Sequence, residues 1–88
     1  MDDPRLIVLG QNIRRLRKKL CLTQEEFAER AGVDWRYFQE VEGGKVDAGC
    51  KYLDKVRRAL GCDWNTMMQG TDHDGVAALP MSAAKVQA

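Results

Sequence analysis

Arg36, Gln39 and Glu40 are the residues best equipped to recognise a polar partner. Arg36 offers a planar fork of N–H donors, Gln39 a donor and an acceptor on one amide, and Glu40 a pair of acceptors. At helical spacing Phe38 and Val41 share one face, and the three polar residues and Gly43 occupy the opposite one. Catalysis has far less to work with. The single histidine is His73, in a polar, turn-like stretch. Cys21, Cys50 and Cys62 read as small hydrophobes at apolar or cap positions. No nucleophile–base pair, phosphate-cradling glycine loop or metal-ligand spacing occurs, so no catalytic residue, metal or cofactor is expected. Three cysteines without a CxxC pair argue for a reducing, cytoplasmic compartment and against a disulfide framework.

Short helices must position these side chains. Leu6, Leu9, Ile13, Leu16 and Leu20 recur at steps of three and four, an apolar stripe on a first helix whose outer face is cationic through Arg14, Arg15, Lys18 and Lys19. Thr23-Gln24-Glu25-Glu26 is a capping box, with Leu22 and Phe27 at staple spacing around it, and Gly32 stops a helix of about nine residues. Asp34 caps the next helix, Val33 and Phe38 repeat the staple, and Gly43-Gly44 ends it. Two helices joined this tightly form a helix-turn-helix. Leu53, Val56 and Leu60 line a fourth helix, stopped by Gly61. Asp63 caps a short fifth, with Cys62 before it and Met67 inside, ending at Gly70. The expectation is an all-α, five-helix bundle in one domain over residues 1–70, followed by a flexible tail over 71–88. Val76, Leu79 and Met81 give that tail an alternative use in docking on a partner.

The ordered set Ile13–Leu16–Arg17, Leu22-Thr23-Gln24-Glu25-Glu26-Phe27-Ala28, Ala31-Gly32-Val33, Phe38 through Val41-Glu42 to Gly44, and Ala59-Leu60-Gly61 resembles the Xre-type helix-turn-helix family of phage repressors and bacterial regulators. The resemblance covers about Leu9 to Gly70. It implies a lambda-repressor-like fold and a sequence-specific transcriptional regulator of double-stranded DNA, with the helix at about 34–43 in the major groove. Arg36 then suits guanine O6 and N7, Gln39 adenine N6 and N7, Glu40 cytosine N4, and Trp35 a thymine methyl or sugar edge. Gln24 matches the family's phosphate-binding glutamine, and Lys45 reaches the next phosphate. The family also pairs the positions of Arg17 and Glu42, which lie about 40° around their helices from Ile13 and Phe38 and so flank the buried stripes. Related regulators bind palindromes as homodimers, and Trp64 and Met68 are the candidate contacts. Both residues also read as caps of a small core. The chain departs from the family in its aromatic third helix (Trp35, Tyr37, Phe38), in Gly43, and in Asp47-Ala48-Gly49 before the fourth helix.

Composition narrows the classes. With 44% hydrophobic and 31% charged residues, the 88-residue chain is expected to be a soluble globular domain rather than a disordered segment. No apolar run reaches the roughly 18 residues of a membrane span, and no leader pattern opens the chain, so neither membrane nor secretion is expected. No small-molecule effector domain is expected either. A net charge of +1 counts at first against a nucleic-acid partner. The total is a cancellation: residues 5–19 hold six cations and no acid, while residues 24–43 hold six carboxylates against two arginines. Two functions stay open, a DNA-binding regulator and a helix-turn-helix module, adaptor or antitoxin-like, that docks on proteins through its aromatic third helix. The plain alternative to base reading is that Arg36 and Glu40, four apart, form a surface ion pair and Gln39 is merely solvated.

Overall fold

The computed structural model describes residues 3–71, and every regular element among them is helical. α1 spans Pro4–Lys19, α2 Gln24–Ala31, α3 Trp35–Glu42, α4 Cys50–Leu60 and α5 Trp64–Met67. Thr71, the first residue of the expected tail, is a turn residue whose hydroxyl donates to the Met68 carbonyl at 2.7 Å. His73, Val76, Leu79 and Met81 lie outside the described residues. No helix of the described residues is long and apolar enough to cross a membrane.

Local chemistry explains where most helices begin. Asp3 caps α1 by accepting from the Arg5 N–H at 2.9 Å, with Pro4 entering the first turn. The capping box of α2 is complete: the Glu26 N–H donates to Thr23 Oγ1 at 3.1 Å, and the Thr23 N–H donates to Glu26 Oε1 at 2.9 Å. Asp34 caps α3 through the Tyr37 N–H at 2.9 Å, and Asp63 caps α5 through the Thr66 N–H at 2.8 Å. These bonds hold the Glu26 and Asp63 carboxyls below the usual carboxylate range. α4 starts at Gly49 without a side-chain cap.

The apolar faces meet in one core. Phe27 of α2 and Phe38 of α3 are wholly buried, with ring centroids 5.0 Å apart. Ile13, Val56 and Met67 complete its centre from α1, α4 and α5. Each such side chain contributes roughly 1.5–3 kcal/mol by leaving water.

Three local expectations need correction. Leu20 does not extend the buried stripe of α1, because the helix ends at Lys19 and the side chain is left 40% exposed. Cys21 and Cys50 are exposed and so are not core hydrophobes, whereas Cys62 is half-buried and packs against the core. Cys21 instead occupies a left-handed turn with φ of 60°. α5 ends at Met67 rather than at Gly70, and Gly70 follows in the turn after it.

α1 crosses α3 at van der Waals limit. A Cβ on Gly10 would overlap the Glu42 carbonyl oxygen and stand 2.8 Å from that of Val41. One turn back, Gly44 has φ of 73° and lies so close to Ile7 that a Cβ would stand 2.7 Å from its Cα. The same crossing holds an ion pair. Arg17 donates from Nε to Glu42 Oε2 at 2.7 Å and from Nη2 to Oε1 at 3.2 Å. The two side chains are only 8% and 3% exposed. Arg17 Nη1 adds a bond to the Leu22 carbonyl at 2.7 Å, tying the α1–α2 turn to the pair.

Two substitutions test this crossing. Gly10→Ala should lower unfolding free energy by about 1–3 kcal/mol, although alanine is the better helix former. Chemical denaturation checks this, and a stabilised variant would show that α1 can move off α3. Glu42→Ala should cost about 3–5 kcal/mol, because Arg17 is left buried and unpaired, whereas the apolar double variant Arg17→Met, Glu42→Leu should lose much less.

Candidate nucleic-acid interface

The outward face of α3 carries Arg36, Gln39 and Glu40, all exposed, with Trp35 38% exposed at the helix start. Arg36 and Glu40 do not pair with each other, and neither enters any ion pair among the described residues. Their charges are therefore available to a partner. Tyr37 points elsewhere: it is half-buried, and its ring meets that of Tyr52 edge-on at 5.1 Å. The Tyr52 hydroxyl is buried without a hydrogen-bond partner. Burial, with Tyr37 and Asp34 nearby, pushes it up to about 12. The aromatic pair thus braces the start of α3 against α4.

Gln39 is held from within. Glu42 Oε1, already facing Arg17, accepts from Gln24 Nε2 at 2.8 Å. A carboxylate can only accept, so the amide nitrogen of Gln24 must face inward and its Oε1 outward. That oxygen accepts from Gln39 Nε2 at 3.3 Å. Donation thus runs from Gln39 on the surface of α3 through Gln24 to Glu42, which Arg17 meets from the other side. Gln24, expected from the resemblance to bond phosphate, spends one N–H and its oxygen inside the protein and keeps one N–H to give. Gln39 keeps its oxygen and its second N–H.

Lys45 is exposed just beyond α3, and its backbone N–H donates to the Glu40 carbonyl at 3.0 Å. The side chain runs past Gly43, where a Cβ would stand 3.7 Å from Lys45 Cε.

Trp64 opens α5 and Met68 follows its end. Met68 packs against the core. Trp64 is 37% exposed, with the Arg57 guanidinium 5.1 Å from its ring centre. Arg57 also donates to Asp54 Oδ1 at 2.8 Å and to the Cys62 carbonyl at 3.2 Å, so it clamps the α4–α5 turn. The Arg57 bond, with Arg58 beside it, holds the Asp54 carboxyl below its ordinary range.

Three structural residues are not evident from spacing: Arg57, Gly10 and Asn12. Buried Asn12 donates to the carbonyls of Met67 at 2.9 Å and Gln69 at 2.8 Å, closing α1 onto the end of α5. A signal for Asn12 existed, since it stands beside Ile13 and three residues after Leu9 on the buried side of the stripe. Among the described residues, no group of three or more His, Cys, Asp or Glu side chains is arranged to hold a metal.

No family model matches the chain. An uncharacterised HTH-type transcriptional regulator of Methanothermobacter thermautotrophicus is 38% identical over 63 residues, which is 72% of this chain and 91% of that protein. Control protein C.MunI of a Mycoplasma species is 36% identical over 56 residues, covering 62% of this chain and 76% of its own length. Among solved structures, the restriction-modification controller protein C.AhdI from Aeromonas hydrophila matches with a TM-score of 0.68 and 31% identity, over 70% of this chain and 94% of that one. The capped pair α2–α3, the five-helix order and these relatives agree: the chain belongs to the Xre-type helix-turn-helix family of DNA-binding transcriptional regulators.

Proposed function

We propose that this DNA-binding regulator reads its operator by laying the exposed face of α3 in the major groove. The observation that carries this is the state of the three polar residues. Arg36 and Glu40 are exposed without an internal ion pair, and Gln39 is pinned through Gln24 to the buried Glu42. Arg36 makes the bidentate contact to guanine, and Glu40 accepts from cytosine N4 beside it, its charge offset by Arg36. Gln39 presents its free oxygen and N–H to adenine N6 and N7. Trp35 covers a thymine methyl or a sugar edge. Gln24, with its remaining N–H at the start of α2, and Lys45, past the end of α3, hold phosphates on either side.

A docking role for an aromatic α3 is the less favoured reading, because Tyr37 is turned against Tyr52 and leaves Trp35 as the exposed ring of that helix among the described residues. The working form is a homodimer on a palindrome, with half-sites about 34 Å apart. Trp64, exposed on its arginine, is the favoured contact, with Met68 behind it. The match to a restriction-modification controller over nearly all of that chain supports a controller-like role.

Selection of bound sequences from a random DNA pool tests the assignment. The wild-type chain should enrich a palindrome, and Arg36→Ala should relax one position in each half-site at a cost of about 1–3 kcal/mol. Failure of the wild type to enrich any sequence at low salt overturns it. The dimer is checked by mass in solution: a wild-type dimer that Trp64→Ala converts to monomer is expected, and a wild-type monomer on and off DNA removes that part of the proposal.

A further inference from the structure

With α3 in the groove as its premise, we propose that the edge of α1 carrying Arg14 and Lys18 is a second binding edge for the phosphates of duplex DNA, alongside the reading helix. The helix pair α2–α3 is acidic, and Glu25, Glu29 and Glu40 are all exposed on it. A polyanion brought against that pair needs cations from a neighbouring element. α1 is that neighbour, because its Gly10 lies against the backbone of Glu42 and its Arg17 grips the Glu42 side chain.

Not every cation of α1 is free to serve. Arg5 is paired with Asp3, and Arg17 with Glu42. The four that remain divide by helical row. Side chains four apart stand one above the other on a helix. Arg14 and Lys18 therefore continue the row of Gly10, the row that touches α3. Arg17, which meets Glu42 and through it Gln24 and Gln39, lies between them in sequence. Both Arg14 and Lys18 are exposed, and neither side chain has a hydrogen-bond or ion-pair partner among the described residues. Arg15 and Lys19 form the neighbouring row. Arg15 leans the other way, donating to Asn12 Oδ1 at 3.3 Å, and Asn12 faces α5. Two pairs of cations with the same charge thus stand on one helix, and one pair adjoins the reading face.

The division supplies its own control. The variants Arg14→Gln, Lys18→Gln and Arg15→Gln, Lys19→Gln change the net charge equally. Binding is measured by fluorescence anisotropy between 50 and 200 mM salt, roughly the range over which phosphate contacts dominate affinity. The probes are the duplex selected above and a random-sequence duplex. Loss of Arg14 and Lys18 should lower the slope of log affinity against log salt by about 1.8, or about 0.9 per contact, and weaken both duplexes to a similar degree. Loss of Arg15 and Lys19 should leave most of the slope in place. Arg14→Lys, Lys18→Arg, which keeps both charges, should keep the wild-type slope. Equal slopes in the two neutralised variants, or a loss confined to the selected sequence, overturn the phosphate edge while leaving α3 as the reader. Absence of wild-type binding to either duplex overturns the assignment of α3, and this proposal with it.

Discussion

Glu42 is where three helices are fastened together. Its carboxylate belongs to α3, accepts from Arg17 of α1, and accepts from Gln24 of α2. The three donors fix it in a pocket only 3% open. A buried charge of this kind is costly unless every partner is present, so the pair enforces geometry more than it adds stability. Gly10 and Gly44 make the pocket possible by letting the α1 backbone approach within contact distance of α3. The orientation of Gln39 at the surface follows from these buried contacts, two hydrogen bonds away.

Electrostatics follows from the same arrangement. A near-neutral total conceals carboxylates already committed to structure. Glu26 and Asp63 serve as caps, Asp54 holds Arg57 and Arg58, and Glu42 holds Arg17. What remains exposed on α2 and α3 is mostly acidic, so attraction to a polyanion must come from cations outside that pair.

Local features were legible in the sequence, and long-range ones were not. Thr23, Asp34 and Asp63 act on N–H groups three residues ahead, so residue type and spacing are enough to identify them. The pairing of Arg17 with Glu42 could be expected from the resemblance, and periodicity placed both beside the core. The backbone approach at Gly10, in contrast, depends on a crossing with residues more than thirty positions away, and a glycine inside a helical stripe gives no hint of it. Arg57 reads as one more cation on an amphipathic helix until the turn after α4 brings the Cys62 carbonyl and Trp64 to it. The exposed side chains of α3 were the easiest to place, because Phe38 and Val41 fix which way that helix faces.

Asn12 has a consequence for how the fold is held together. Its amide nitrogen donates to two carbonyls lying 55 and 57 residues away, at the end of α5 and in the turn after it. α5 has only four helical residues, too few to persist on their own, and its C-terminal turn rests on this side chain. The last helix therefore depends on the first for its hold on the fold, and the two are stabilised together.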